Sequence, residues 1–212
     1  MKSTRLALCD VRGSLADLYE KLSGDDGATI WLPALNKMLR RENPWEATDP
    51  RFVPINEFEI KVPKGYVHGK CLTTFVETHG KEFYFLNSAI TDQNFGNPTT
   101  RLEPGRKLKV TVFQIRKKVS SEDCLAFLKS QKAVLAGAQV LSLVYEQKKE
   151  ELPVGKWSIS FDDPDHLWLS DGHRGVPRVS RYSVGDYSFN LGDFEVDWGS
   201  DLCLLCFSVG GR

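Results

Sequence analysis

The sequence has no long hydrophobic run. No window approaches the roughly 18 apolar residues that a membrane-spanning helix needs, and the N-terminal apolar stretch Leu6–Cys9 is interrupted at once by Asp10 and Arg12. A secretory signal requires a longer apolar segment than this. The sequence therefore predicts neither a membrane-spanning segment nor a secreted protein.

Cysteine residues are few and irregularly placed. The five cysteines are odd in number and scattered along the chain, whereas a disulfide framework uses an even number at recurring spacings. We therefore expect free thiols and a reducing compartment, which predicts a cytoplasmic protein.

The common catalytic motifs are also missing. The sequence contains no G-x-S-x-G nucleophile elbow, H-E-x-x-H zinc motif, Walker A loop or G-x-G-x-x-G dinucleotide loop. These absences count against an enzyme, and no cofactor is predicted. They favour a non-enzymatic binding or interaction protein.

The chain carries no net charge, yet its charges are unevenly placed. From Glu151 onward there are five basic and ten acidic residues, so the preceding residues hold 23 basic and 18 acidic ones. Such asymmetry is typical either of a nucleic-acid surface or of two parts that meet through opposite charge. We favour the second interpretation because neither excess is concentrated in a tail.

The first 48 residues predict a helical hairpin. Ser14 and Asp17 form an S-x-x-D capping box, and leucines follow at helical spacing. A second apolar stripe begins at Trp31, and Pro44 ends the second helix.

The middle part, residues 49–118, is predicted to be rich in β-strand. Tyr66–Val76 and Leu108–Ile115 have strand composition. A capping box at Ser120–Asp123 starts a further helix, and another is expected from Ala138 to about Glu151. Residues 119–212 are thus expected to combine helix and antiparallel sheet, as a third domain or as one domain with the middle part.

The last third shows alternating apolar and polar residues, which predicts β-strands. The apolar triplets are Trp157, Ile159 and Phe161; Tyr187, Phe189 and Leu191; and Phe194, Val196 and Trp198. We expect an antiparallel meander with these triplets on one buried face and the polar residues on a wet face. The predicted fold class is therefore α+β.

Two sets of segments resemble uncharacterised proteins predicted in uncultivated bacteria. The C-terminal set comprises Leu152–Trp157, Ser160–Asp162, Leu167–Trp168, Arg174–Pro177 and Leu204–Phe207. The N-terminal set comprises Asp25–Gly27, Trp31–Leu32 and Glu42–Trp45. The resemblance covers about half of the chain and implies a bacterial protein, but it implies no activity and no residue roles.

The loop from Asp162 to His173 concentrates side chains that can bind a metal or transfer protons. The metal-ligand candidates are Asp162, Asp165, His166, Asp171 and His173, and the catalytic candidates are Asp163, Asp165 and His166. A metal-assisted hydrolase is therefore the first alternative function. Asp and Pro are also ordinary turn residues, and the spacing does not fit an EF-hand, so a structural role is favoured.

The pair Cys203 and Cys206 has the C-x-x-C spacing of redox and zinc motifs. A strand over Leu202–Val209 would point residues at this odd separation to opposite faces. We therefore interpret both cysteines as core residues.

His68, Cys71 and His79 are a second cluster of potential ligands. If Tyr66–Val76 is a strand, His68 and Cys71 point to opposite faces. The three residues are therefore not predicted to form a site.

Basic residues surround the predicted strand Leu108–Ile115. They are Arg106, Lys107, Lys109, Arg116, Lys117 and Lys118. With Phe113 between them, they could contact nucleic acid through phosphates and stacked bases, which is the second alternative function. The pI of about 6.9 counts against this, and an edge strand protected by lysines is the favoured interpretation.

The aromatic residues of the last third could form either a stacking platform or a core. Trp157, Trp168, Tyr187, Phe189 and Trp198 supply most of the apolar surface of their strands, so we expect them to be buried. Function is then expected on the polar side of the sheet and in the Asp162–His173 turn. This leaves room for a protein partner, disfavours nucleic acid and predicts no membrane association.

Overall fold

The computed structural model describes residues 8–24, 27, 31–39, 49–183 and 185–209. The backbone divides into two compact units, Met1–Thr48 and Asp49–Arg212.

Among its described residues, the first unit contains two helices, α1 (Leu8–Ser23) and α2 (Leu32–Leu39). Helix α1 already includes Leu8, so the predicted N-terminal cap at Ser14 is wrong and Ser14 lies inside the helix. The predicted end at Pro44 lies outside the described residues.

The described part of the second unit contains one eight-stranded sheet and four further α-helices. The strands are β1 (Phe52–Lys61), β2 (Phe83–Leu86), β3 (Lys107–Ile115), β4 (Trp157–Ile159), β5 (Trp168–Ser170), β6 (His173–Ser183), β7 (Asp186–Asp193) and β8 (Leu202–Val209). The helices are α3 (Cys71–His79), α4 (Asp92–Phe95), α5 (Ser121–Ser130) and α6 (Gly137–Lys148). No helix of the described residues is long and apolar enough to cross a bilayer.

The sheet has the strand order β1-β3-β8-β4-β6-β7-β2, with β5 paired to β6. Most pairs are antiparallel, and β5, β6 and β7 follow one another as a meander. Strand β8 follows β7 in the chain but is not part of this meander. It pairs with β3 antiparallel and with β4 parallel. The strands of the middle part and of the last third therefore share one sheet within a single unit.

Helices cover both faces of this sheet. Residues of α3 and α6 belong to one buried apolar cluster, and residues of α5 belong to the other. The predicted wet face is therefore wrong at Ser158, Ser160 and Ser188, all of which are buried.

The aromatic triplets do not share one face. Tyr187 and Phe189 lie in the cluster with α6, whereas Ile159 and Phe161 lie in the cluster with α5. The third triplet does not form a strand, because β7 ends at Asp193, before the triplet begins. Its middle residue, Val196, is also not buried, since it is 49% exposed.

The segment Tyr66–Val76 was predicted as a strand and is instead a turn followed by helix α3. Leu72 and Phe75, three residues apart, are fully buried on one side of this helix. The strand prediction is wrong because it relied on residue composition. The buried residues of this segment recur at the spacing of a helix.

Candidate anion-binding cleft

A cleft of about 780 Å³ opens on the α5 side of the sheet, at the end of β3. Its walls come from the segment after β3, the middle of β6, and the connection between β7 and β8. The lining residues that carry charge are Arg116, Lys117, Lys118, Arg178, Asp193, Asp197 and Asp201.

Trp198 joins two walls of the cleft, the segment after β3 and the connection between β7 and β8. Its backbone N–H donates to the Val119 carbonyl at 2.8 Å, and the Val119 N–H donates back at 3.1 Å. The indole Nε1–H donates to Ser121 Oγ at 2.7 Å, and Ser121 in turn donates to the Phe194 carbonyl at 2.6 Å. The ring is 1% exposed, so this wall of the cleft is anchored in the core.

Gly192 allows the ring of Trp198 to lie against β7. A Cβ atom at this position would come within 2.6 Å of Trp198 Cη2 and within 3.5 Å of Arg178 Cδ. A residue with a side chain would therefore displace a buried ring beside the cleft.

Arg178 is a half-buried cation without an acidic partner. Its guanidinium lies 4.4 Å from the ring centroid of Trp157, an arrangement that favours the charged form. Its Nε atom is buried and has no hydrogen-bond partner, and no ion pair joins Arg178 to another described residue. Burial lowers the pKa of this guanidinium, and the electrostatic influence of Tyr182 and, less strongly, of Asp201 opposes this. Arg178 thus has unused hydrogen-bonding capacity beside an open cavity.

The other charges of the cleft are partly neutralised. Lys118 Nζ lies 2.9 Å from Asp197, and His173 Nδ1 lies 2.9 Å from Asp193 Oδ2. The exposed side chains of Arg116 and Lys117 pair with no acidic residue of the described chain. Three cations, those of Arg116, Lys117 and Arg178, then face two carboxylates, those of Asp193 and Asp201, so the cleft keeps a positive balance that favours a negatively charged ligand.

Three of the six predicted nucleic-acid residues are paired elsewhere. Arg106 contacts Glu103 at 3.0 Å, Lys107 contacts Glu59 at 3.6 Å, and Lys109 contacts Glu57 at 2.9 Å. Strand β3 lies between β1 and β8, so the interpretation of its lysines as edge protection is wrong. The remaining three, Arg116, Lys117 and Lys118, line the cleft.

The predicted catalytic residues are engaged in structural contacts or are exposed. Asp163 Oδ1 lies 2.6 Å from Lys129 Nζ, and His166 Nδ1 donates to the Asn97 carbonyl at 2.6 Å. Asp165 is exposed beside them. No residue of this group lines the cleft.

Asp162 is 3% exposed. Its Oδ1 accepts the backbone N–H groups of Thr99 at 3.0 Å and of Asp163 at 2.9 Å. Burial nevertheless raises the pKa of this carboxyl group to about 6, against the lowering effect of these hydrogen bonds. Its contacts join the loop before β5 to the segment after α4.

Among the described residues, the five predicted metal ligands do not form one cluster. Asp171 is exposed in the turn between β5 and β6, with φ of 52°. His173, the first residue of β6, forms a different group with Asp193 and Glu195, in which one ligand atom from each lies within 4.8 Å of the others. Neither Asp193 nor Glu195 was among the predicted metal ligands, because both lie about 20 residues beyond the predicted loop.

Cys203 and Cys206 lie in the two different core clusters. Burial raises the pKa of both thiols to about 11, which leaves them protonated and unreactive. The prediction that they point to opposite faces as core residues is confirmed.

His68, Cys71 and His79 take separate partners. His68 bonds to the Gly96 carbonyl at 2.8 Å, Cys71 lies 3.9 Å from Asp92, and His79 bonds to Glu82 at 2.8 Å. Burial raises the pKa of the Cys71 thiol to about 12. The structure therefore brings these three residues into no common site.

Comparison with known proteins identifies no relative. No protein-family model, no curated protein and no solved structure matches this chain.

Proposed function

We propose that this protein is a non-enzymatic binding protein whose cleft holds a ligand bearing a phosphate or carboxylate group. The observation that carries the proposal is the Arg178 guanidinium, half-buried, placed over Trp157 and without an acidic partner. A planar guanidinium donates paired hydrogen bonds to an oxyanion. Arg116 and Lys117 at the rim add attraction at longer range.

The two alternative functions receive less support. A hydrolase using Asp163, Asp165 and His166 needs these groups to face a cavity, whereas Asp163 and His166 are bonded to Lys129 and to a backbone carbonyl. A nucleic-acid surface needs a continuous positive stripe, and half of the predicted basic residues are paired with glutamates.

We further propose that the protein works in the cytoplasm and that α1 and α2 form a hairpin. The described cysteines are free thiols, as a reducing compartment would keep them. Lys21 of α1 lies 4.6 Å from the ring centroid of Trp31, just before α2.

Calorimetric titration of the full chain with inorganic phosphate, pyrophosphate and succinate tests the proposed ligand. We expect saturable binding, and the three anions separate phosphate from carboxylate preference. Arg178→Gln should weaken the preferred anion about tenfold or more, because a charge-assisted hydrogen bond contributes roughly 1.5–3 kcal/mol.

Arg106→Gln is the matched control, since Arg106 pairs with Glu103 at the opposite end of β3, about 30 Å from Arg116 at the usual rise of a strand. This variant should bind like the unmodified chain. The proposal fails if none of the anions binds, or if Arg178→Gln and the unmodified chain bind equally well while both remain folded by circular dichroism.

A further inference from the structure

His173, Asp193 and Glu195 converge at one end of the β6–β7 pair. The pairing of Gly175 with Asp193 fixes this end of the hairpin, so residues beside it are held near one another. One ligand atom of each side chain lies within 4.8 Å of the other two. The set combines one imidazole nitrogen with two carboxylates, a donor set suited to a divalent transition metal.

Backbone amides orient the two carboxylates. The Glu195 N–H donates to Asp193 Oδ1 at 3.0 Å, and the Arg174 N–H donates to Glu195 Oε2 at 3.1 Å. Two carboxylates this close repel each other unless a cation lies between or beside them. In the metal-free chain, the guanidinium of Arg174 supplies the positive charge, with Nη1 3.0 Å from Glu195 Oε1, and His173 Nδ1 lies 2.9 Å from Asp193 Oδ2.

We propose that His173, Asp193 and Glu195 bind one Zn²⁺ ion. Three protein ligands leave a coordination position open for water or for another ligand. Neutral imidazole gives up its contact with Asp193 to coordinate the ion, and the ion replaces Arg174 as the counter-charge of Glu195. Mg²⁺ and Ca²⁺ prefer oxygen donors alone, so they should bind less tightly. This site stands independently of the anion proposal, although Asp193 also lines the cleft.

Equilibrium dialysis of the metal-depleted full chain against Zn²⁺ and Mn²⁺ tests the site. We expect one equivalent of Zn²⁺, with Mn²⁺ binding less tightly. His173→Ala and Asp193→Asn should each weaken Zn²⁺ binding at least tenfold. His166→Ala is the matched control, because His166 bonds to the Asn97 carbonyl, and it should leave the affinity unchanged.

Arg174→Gln should change the Zn²⁺ affinity in the direction opposite to the other variants. Removing the guanidinium that competes for Glu195 should tighten Zn²⁺ binding, whereas a protein damaged in its fold would bind less. The proposal is overturned if the unmodified chain binds no Zn²⁺, if His173→Ala changes the affinity less than twofold, or if Arg174→Gln weakens binding. These outcomes do not depend on anion binding by the Arg178→Gln variant. The anion proposal and the Zn²⁺ proposal can therefore fail separately.

Discussion

At the scale of single residues, the buried ionisable groups carry the most information about this molecule. Asp162 is buried and Arg178 is half-buried beside the cleft, and the two differ in their hydrogen-bond partners. Asp162 accepts two backbone hydrogen bonds and has a raised pKa, whereas Arg178 has no acceptor for its buried Nε. The first arrangement stabilises a loop connection, and the second is one of the observations behind the proposed anion site.

The raised pKa of Asp162 makes stability depend on pH. Burial disfavours the charged carboxylate, so the folded-state pKa of about 6 lies above the ordinary value of 3.8. The folded chain therefore holds this proton more tightly than the unfolded chain. This contribution to stability is complete below about pH 4 and is lost as the pH rises towards 6.

Asp162→Asn should remove this pH dependence, since the amide Oδ1 can still accept the N–H groups of Thr99 and Asp163. We expect the free energy of unfolding at pH 7 to rise by on the order of 2 kcal/mol. Urea unfolding at pH 4, 5, 6 and 7 measures the effect, with Asp165→Asn as the control at an exposed position. An identical difference between Asp162→Asn and the unmodified chain at every pH would contradict the assignment.

At the scale of elements, helix α3 shows how a distant residue can complete a local structure. Its first turn lacks a local side-chain cap, because Lys70 makes no capping hydrogen bond. Asp92 accepts the N–H groups of Leu72 at 3.1 Å and of Thr73 at 2.8 Å instead. When the first N–H groups of a helix are capped by a residue about 20 positions away, the sequence at the start of the helix carries no capping signal.

The close approach between β7 and Trp198 should be intolerant of any side chain at position 192. Gly192→Ala would place Cβ 2.6 Å from Trp198 Cη2 and 2.9 Å from Cζ3. Because the ring is buried and bonded to Ser121, we expect a loss of about 1–3 kcal/mol of unfolding free energy from overpacking.

Gly65→Ala is the control for this substitution, since an added Cβ there meets nothing within 4 Å. Its effect should stay within about 0.5 kcal/mol. Urea unfolding of both variants decides the matter, and equal stability of the two would show that the Trp198 ring adjusts freely.

At the scale of the whole molecule, the second unit has its own core. Both large clusters of buried apolar residues consist of residues from Phe52 onward. They lie on opposite faces of one sheet, which joins strands from β1 to β8 across the chain. Such a unit has what is needed to fold alone.

A chain beginning at Asp49 should therefore fold without the first unit. We expect one cooperative thermal transition with a Tm within a few degrees of that of the full chain, since the buried clusters are retained. Far-ultraviolet circular dichroism and calorimetry measure this. A truncated chain that lacks a cooperative transition would show that the first unit is required for folding.

Local patterns were enough to predict several features from the sequence. The capping box at Ser120 marks the start of α5, where Ser120 Oγ accepts the Asp123 N–H at 3.1 Å. Alternation along Leu202–Val209 placed Cys203 and Cys206 on opposite faces. The class of fold, helices with a mostly antiparallel sheet, also followed from such patterns. Each depends on the geometry of a few neighbouring residues.

Only the tertiary structure decided which surfaces are covered and which side chains meet. The alternating pattern predicts Ser158 and Ser160 on a wet face, yet both are buried because helices cover both sides of the sheet. Arg178 comes beside the segment after β3 only because β8 and β4 lie between β3 and β6. His173 meets Asp193 and Glu195 through strand pairing rather than through its own loop. Periodicity describes one element at a time, whereas burial and the candidate sites depend on packing between elements far apart in the chain.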